Sequence, residues 1–376
     1  MSIQKQVLHL IRQHHEISQA EIRTITGHSA SSISSAVKRA QNLGLIQEAG
    51  VTQEALGRPR TLLTLNPSFS YTIGVQLNAY QNEMVLTDLQ GKVIHSRGLH
   101  SSELQPQQIA DDIATFIADV AEQPVVGVGL AVSGIIDHEQ GICLDSTTTG
   151  WHNVPIASIV SARTGIPTYV ENDANALALA ELLFGEGRNL QSFIVLTLGK
   201  GIGAGIVIDR ALYRGRNGIA GEVGHVRVAT SSDYTCHCGK SDCLEAVASA
   251  RAITRMLSDR IGQPVSTDTL GATLSQYPQQ AAEVLTLAGD RLGGALAFLA
   301  TVFDPDAVFI APEPHLGLSN MQGAVTHGFH SDLLPVSRNP TTLKFLEEAT
   351  DMWARGAASI AIERFFETVT SELVSA

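Results

Sequence analysis

Residues 168–184, TYVENDANALALAELLF, change periodicity in their middle. Residues 168–170 form a short β-type run, and from Asn175 to Phe184 the pattern is an apolar helix. Asn172 and Asp173 follow the strand at the helix start, where polar groups are held rigidly. A strand feeding a helix is the repeating unit of an α/β fold. Upstream lie a three-strand antiparallel meander (residues 71–76, 83–87 and 92–97, with a turn at Gln90-Gly91), an amphipathic helix over 109–120 and a buried strand over 125–132. Downstream come a strand over 193–198, a glycine-rich turn over 199–205, a strand over 206–209, more helix, a buried strand over 308–310 and a final helix over 353–368. The same order occurring twice predicts two similar lobes with a cleft between them. The expected boundaries are 67–172 for the first lobe, completed by a C-terminal helix at 356–376, and 173–355 for the second.

The 376 residues are 44% hydrophobic and 16% charged, enough to bury a real core and too long for one ordinary domain. No run of 18 apolar residues occurs, and the start MSIQKQVLHLIRQHHEIS lacks an apolar core with a small-residue cleavage site. Neither a signal peptide nor membrane insertion is expected, and four cysteines are no disulfide framework, so the expected location is cytoplasmic. The net charge of −12 is unevenly spread. Residues 1–66 hold seven basic residues (Lys5, Arg12, Arg23, Lys38, Arg39, Arg58, Arg60) against four acidic ones (Glu16, Glu21, Glu48, Glu54), so the acidity lies in the body. Only the head suits nucleic acid.

That head, residues 1–66, has its own pattern. Ile3, Val7, Leu10 and Ile11 form a helical stripe, and Ser18 with Glu21 makes a capping box for a second helix ending near Gly27. A third helix over 29–42 turns Ile33, Val37 and Ala40 inward and Ser31, Ser32, Ser34, Ser35, Lys38 and Arg39 outward. Small hydroxyl side chains let a helix lie close to a phosphate backbone, while the basic groups reach phosphates and base edges. Two short β-type runs, 45–48 and 61–65, flank a loop ending Gly57-Arg58-Pro59-Arg60. This is a winged helix-turn-helix, mainly α, and it predicts binding to double-stranded DNA. The competing reading is a small protein-docking module. Arg58 and Arg60 fit a narrow minor groove, although the same four residues also read as a plain linker.

Three of the four cysteines sit in residues 236–243, and His225 lies eleven residues before the first. Cys236, Cys238, Cys243 and His225 make a closed three-sulfur, one-imidazole set suited to structural zinc. A disulfide and plain reduced cysteines are the alternatives, and His237, between two of the ligands, is the candidate for misassignment. Cys143, elsewhere in the chain, reads as an ordinary small hydrophobe.

Four motifs taken in order, Glu171-Asn172-Asp173-Ala174-Asn175, Gly199-Lys200-Gly201-Ile202-Gly203-Ala204-Gly205, Gly221-Glu222-Val223-Gly224-His225 and the cysteine loop running into Leu244-Glu245, resemble the ROK family of repressors and sugar kinases. With the winged head, the whole chain looks like the family's NagC/Mlc class of sugar-responsive repressors. The resemblance implies a two-lobed actin-like ATPase (ribonuclease H-like) fold, sugar in the cleft, one structural zinc per chain with His225 in the ligand position, and sugar contacts at Asn172, Asp173, Glu222, His225 and Glu245. Without it, Asp173 and Glu222 read as helix capping and surface charge.

A family kinase would use Asp173 as the base for the attacking sugar hydroxyl. Its nucleotide contacts are replaced here. The acid-Gly-Gly-Thr of the first hairpin is Gln76, Asn78, Ala79 and Tyr80; the Gly-Thr-Gly of the second is Gly199-Lys200-Gly201; and the late glycine pair falls in Ala311-Pro312-Glu313-Pro314. Asp173 is then a vestigial base and the chain is not expected to be an enzyme. The expected function is a repressor of sugar uptake and metabolism genes, bound to its operator as a homodimer or dimer of dimers and released by a sugar or sugar phosphate. Release by docking to a sugar phosphotransferase-system component, and an active sugar kinase, are the alternatives.

Overall fold

A computed structural model describes residues 2–51, 59–77, 82–99, 104–122, 124–228, 235–335, 340–347 and 351–375. Arg58, Asn78, Ala79 and Tyr80 lie outside them. The chain forms two compact units, Met1–Asn189 with Asp351–Ala376, and Leu190–Thr350.

The head opens with α1 (Ile3–His14), capped by the Ser2 hydroxyl accepting from the Lys5 amide. The two-residue strand β1 (Ile17–Ser18) follows. The Ser18–Glu21 capping box is present at the start of α2 (Gln19–Thr26), and Gly27 takes the left-handed conformation after it at φ 71°. In α3 (Ala30–Asn42), capped by Ser29, Ile33, Val37 and Ala40 face inward as expected, joined by Ala36. β2 (Ile46–Val51) and β3 (Thr61–Leu65) form the wing, and β1 adds to β3 in a sheet of order β1-β3-β2.

The first lobe belongs to the same unit as the head. β4 (Tyr71–Leu77), β5 (Glu83–Asp88) and β6 (Val93–Gly98) are the antiparallel meander, followed by α4 (Pro106–Val120) and β7 (Val125–Val132). A small side sheet of β8 (Ile135–Asp137), β9 (Ile142–Ser146) and β10 (Trp151–Val154) leads through α5 (Ile156–Thr164) to β11 (Thr168–Asn172) and α6 (Asp173–Phe184). The main sheet has the order β11-β7-β4-β5-β6, with β11 and β4 parallel to β7.

The second unit repeats this plan. β12 (Phe193–Leu198), β13 (Ile202–Ile208) and β14 (Ala211–Leu212) are antiparallel. Helices α7 (Leu244–Ala248), α8 (Ala250–Ile261), α9 (Leu270–Gln276) and α10 (Pro278–Phe303) precede β15 (Ala307–Pro312), α11 (Gln322–Asp332) and β16 (Thr342–Phe345). Its sheet runs β14-β13-β12-β15-β16, with β15 parallel to both β12 and β16. Each sheet is thus an antiparallel hairpin continued by parallel strands, the doubled actin-like topology expected from the sequence. Helix α10 is long and apolar enough to cross a membrane by length and composition, but 61% of that window is buried inside the protein. It is the central core helix of its unit, packed against α7, α8, α9 and α11.

The last helix, α12 (Met352–Ser375), returns to the first unit and lies on β4 and β7. Two glycines allow that approach. A Cβ built on Gly74 would stand 2.0 Å from the Ala354 carbonyl oxygen, and one on Gly129 would stand 1.9 Å from that of Ala357. On the helix side the contact is made by Ala354, Ala357, Ala358 and Ala361, all fully buried. Beyond them Ile362 and Phe366 join the head's own core, among Val7, Ile11, Ile22 and Ile33. The Arg12 guanidinium lies over the Phe366 ring at 5.3 Å, and Phe69 meets Phe365 at 6.1 Å. Helix α6 also packs on α12, and for that reason it belongs to the first unit, not to a lobe starting at residue 173.

Gly129→Ala should lower unfolding stability by about 1–3 kcal/mol, because backbone carbonyl cannot yield as a flexible side chain does. Gly323→Ala, in α11 with nothing within 4 Å of the added carbon, should instead stabilise by about 0.5–1 kcal/mol. Urea unfolding of both variants checks the pair, and equal stabilities would refute the close-packing account.

Candidate metal centre and nucleic-acid interface

His225 ends a 3-10 turn, Val223–His225, which Glu222 precedes. The cysteine loop is folded back on this turn by the bridge pairs Arg227 with Cys243 and Thr235 with Ser241. Its tip closes through the Gly239 amide donating to the Cys236 carbonyl, with Gly239 at φ 83°. This brings together the four residues expected from the spacing. His225 Nδ1 is 3.4 Å from Cys236 Sγ, Cys238 Sγ is 3.7 Å from Cys243 Sγ, and all four donor atoms lie within 4.8 Å of one another. A zinc tetrahedron with arms of about 2.3 Å to sulfur has edges of about 3.8 Å, so the donors stand at ligand separations. All four cysteines of the chain are free thiols here. Burial pushes the Cys236 thiol up to about 12. A bound cation would reverse that preference and release the protons.

His237 belongs to a second, overlapping group with His225 and Glu245. Its Nδ1 is 2.8 Å from Glu245 Oε1 and its ring meets that of His225 edge-on at 5.0 Å. Glu245 is almost wholly buried, and its other oxygen accepts the Ile202 amide at 3.1 Å. It ties the cysteine loop to the glycine-rich turn. Glu222 is more open, with Oε2 3.7 Å from His225 Nε2.

The glycine-rich turn is gripped from a second side. Glu313 Oε2 accepts the Lys200 amide at 3.2 Å and would stand 2.2 Å from a Cβ on Gly199. The Lys200 ammonium is 3.6 Å from Asp268. Two carboxylates of the chain itself, from Glu245 and Glu313, therefore occupy amides of a turn that in a kinase would face phosphate. Glu313 had no sequence signal beyond replacing an expected glycine.

In the first unit, Asn172 is the N-cap of α6. Its side-chain oxygen accepts from the Ala174 and Asn175 amides, and its amide donates to the Gly134 carbonyl at 3.1 Å. These bonds fix the Asn172 side chain at the start of α6, next to Asp173. The Asp173 carboxylate accepts from the Ala174 amide and from the Ser133 hydroxyl, but burial outweighs both and raises its pKa. The five residues expected at the sugar thus form two clusters, Asn172 with Asp173 in one unit and Glu222, His225 and Glu245 in the other.

On the head, Ser31, Ser34, Ser35, Lys38 and Arg39 are exposed along α3, and Arg60 is exposed at the end of the wing loop. Ser32 is only half exposed. Its hydroxyl lies 2.9 Å from that of Ser29 and its amide donates to the same cap, so it belongs to the helix start more than to the outer face.

The ROK family model matches residues 72–363, and a MarR family model matches residues 2–53. The xylose repressor of Bacillus subtilis is 29% identical over 378 residues, spanning 98% of this chain and 96% of that protein. The glucokinase of Thermotoga maritima is 38% identical over 219 residues, spanning 54% of this chain and 68% of that protein. Among solved structures, a ROK family transcriptional regulator homologous to the E. coli Mlc protein superposes with TM-score 0.80 at 25% identity, covering all of both chains.

Cys243→Ser should abolish stoichiometric metal in purified protein, while Cys143→Ser should leave it unchanged; elemental analysis decides, and equal metal in both would refute the site. Asp173 gives a pH test. A carboxyl whose folded pKa is raised stabilises the fold below its unfolded pKa of about 3.9 and loses that contribution as pH rises through the folded value. Asp173→Asn should therefore raise the melting temperature at neutral pH and lose the gain near pH 3. A gain independent of pH would sink this account.

Proposed function

The chain belongs to the ROK family, and from that membership we propose a cytoplasmic transcriptional repressor of sugar uptake and metabolism genes, controlled by a sugar or sugar phosphate. The observation that carries this reading is coverage. The similarity to a xylose repressor runs through head and body alike, whereas the glucokinase similarity stops at about half the chain. The head reads operator DNA through α3. Ser31, Ser34 and Ser35 allow close approach, Lys38 and Arg39 reach phosphates and base edges, and Arg58 and Arg60 enter the minor groove. A two-fold operator is matched by a homodimer, or by a dimer of dimers.

The effector contacts fall to Asp173, Glu222 and His225, with Asn172 and Glu245 holding them in place. Zinc held by His225, Cys236, Cys238 and Cys243 would supply charge that keeps the sulfurs as thiolates and fixes the His225 ring. Phosphoryl transfer is lost in this reading. Gln76 stands for the first hairpin's acid, and Glu313 fills the amide of Lys200 with a negative charge where phosphate would need to sit. Effector lowers operator affinity only by binding the two conformational states unequally.

An operator can be selected from a random duplex pool and titrated by fluorescence anisotropy against xylose, glucose, N-acetylglucosamine and their phosphates. One of these should weaken binding at least tenfold, about 1.4 kcal/mol. If none does, direct sensing is wrong and a phosphotransferase-system partner becomes the better trigger. Lys38→Ala should reduce the slope of log affinity against log salt by about 1. No member of the panel should yield ADP from ATP.

A further inference from the structure

Both carboxylate oxygens of Glu245 are engaged inside the second unit. One accepts the Ile202 amide at 3.1 Å and the other faces His237 Nδ1 at 2.8 Å. A carboxylate has no proton of its own to give, so the hydrogen between them sits on Nδ1. In the neutral ring Nε2 then keeps its lone pair, and the bond at Nδ1 fixes both tautomer and orientation. The His237 side chain is 39% exposed, whereas that of Glu245 is 10% exposed. The outward end of the pair is therefore the imidazole, and the carboxylate stands behind it.

Two other uses of the ring fit less well. As a metal ligand it is turned the wrong way. His237 Nδ1 is 3.9 Å from Cys236 Sγ, against 3.4 Å for His225 Nδ1, and it is committed to Glu245. Four donors are already gathered without it. As packing, its edge-on meeting with His225 at 5.0 Å asks only for a flat side chain. Neither use employs Nε2, which has no hydrogen-bond partner among the described residues.

The neighbours indicate what Nε2 could receive. Glu222, itself partly exposed, lies against the same His225, with Oε2 3.7 Å from Nε2 of that ring. Two acceptors, the Glu222 carboxylate and His237 Nε2, thus stand beside one imidazole. They suit hydroxyl groups, which can donate, and they disfavour phosphoryl oxygens, which accept and carry negative charge.

We infer that His237 is a further effector contact, accepting a hydrogen bond from a sugar hydroxyl at Nε2, with Glu245 as its positioning residue. The inference rests on the direct sugar sensing proposed above. It assigns to this end of the site a neutral, hydroxyl-bearing part of the effector.

Two amides separate contact from bracing. An asparagine amide overlies Nδ1 of a histidine and a glutamine amide overlies Nε2. His237→Asn therefore keeps the bond to Glu245 and loses the outward group, and His237→Gln does the reverse. Isothermal titration of the full-length protein uses xylose, glucose, N-acetylglucosamine, glucose 6-phosphate and N-acetylglucosamine 6-phosphate. The wild-type chain should bind at least one of them. His237→Asn should bind that compound at least tenfold more weakly, and His237→Gln should bind it more tightly than His237→Asn does. Zinc per chain, by elemental analysis, should be equal in all three. Should His237→Asn fail to fold by circular dichroism, His237→Phe, which keeps a flat ring against His225, takes its place with the same expectation. A wild-type chain that binds none of the five would overturn direct sensing and this contact together. Where the wild-type chain does bind, His237→Asn within about twofold of it, or His237→Gln no better than His237→Asn, overturns the contact alone. Loss of zinc from the variants does the same, because the ring would then be a metal ligand.

Discussion

The contact between α12 and the bare backbone of β4 and β7 carries the first unit. Helices ordinarily sit on a sheet at side-chain distance. Here Gly74 and Gly129 offer no side chain, and Ala354, Ala357, Ala358 and Ala361 reply with almost none. The reward is close packing along a helix whose far end then enters the head among Val7, Ile11 and Ile33. The DNA-reading domain is seated on the lobe by the same helix that closes the lobe's sheet. Another attachment is Gln90, at the turn between β5 and β6, whose side-chain amide donates to the Leu65 carbonyl at 2.8 Å.

The glycine-rich turn has two of its backbone donors taken up by the chain's own acids. The Gly199 and Gly203 amides donate to the Gly201 carbonyl and the Thr197 hydroxyl, and those of Lys200 and Ile202 meet Glu313 and Glu245. A carboxylate held inside the protein satisfies the same donors that phosphate would, and it repels an incoming anion. Glu245 is shared with His237, so the turn and the cysteine loop are braced against each other through one buried side chain.

Much of this was legible in the sequence because the signals are local and repeated. The capping box at Ser18, the stripe of α3, the meander and the C-x-C-x4-C spacing each rest on a short-range rule that the fold obeys. The failures have physical reasons. β1 has two residues, too few for any periodicity, and is stabilised only by pairing with β3. The glycines of residues 199–205 read as a turn throughout, yet β13 already begins at Ile202, because Ile202, Ala204 and Ile206 alternate with Gly203 and Gly205 and bury one face. Glu313 could be read only as an absent glycine, since its acceptor role depends on a partner more than a hundred residues away.

The borrowed core of the head has an evolutionary consequence. Winged heads are commonly thought of as interchangeable parts, joined to whatever sensor lies behind them. In this chain Ile362 and Phe366 fill the head's interior from the far end of the sequence. A recombination event that exchanged residues 1–66 alone would import an interior shaped for someone else's closing residues. Heads and C-terminal helices should therefore be inherited as matched pairs across related regulators, although the body separates them in the sequence.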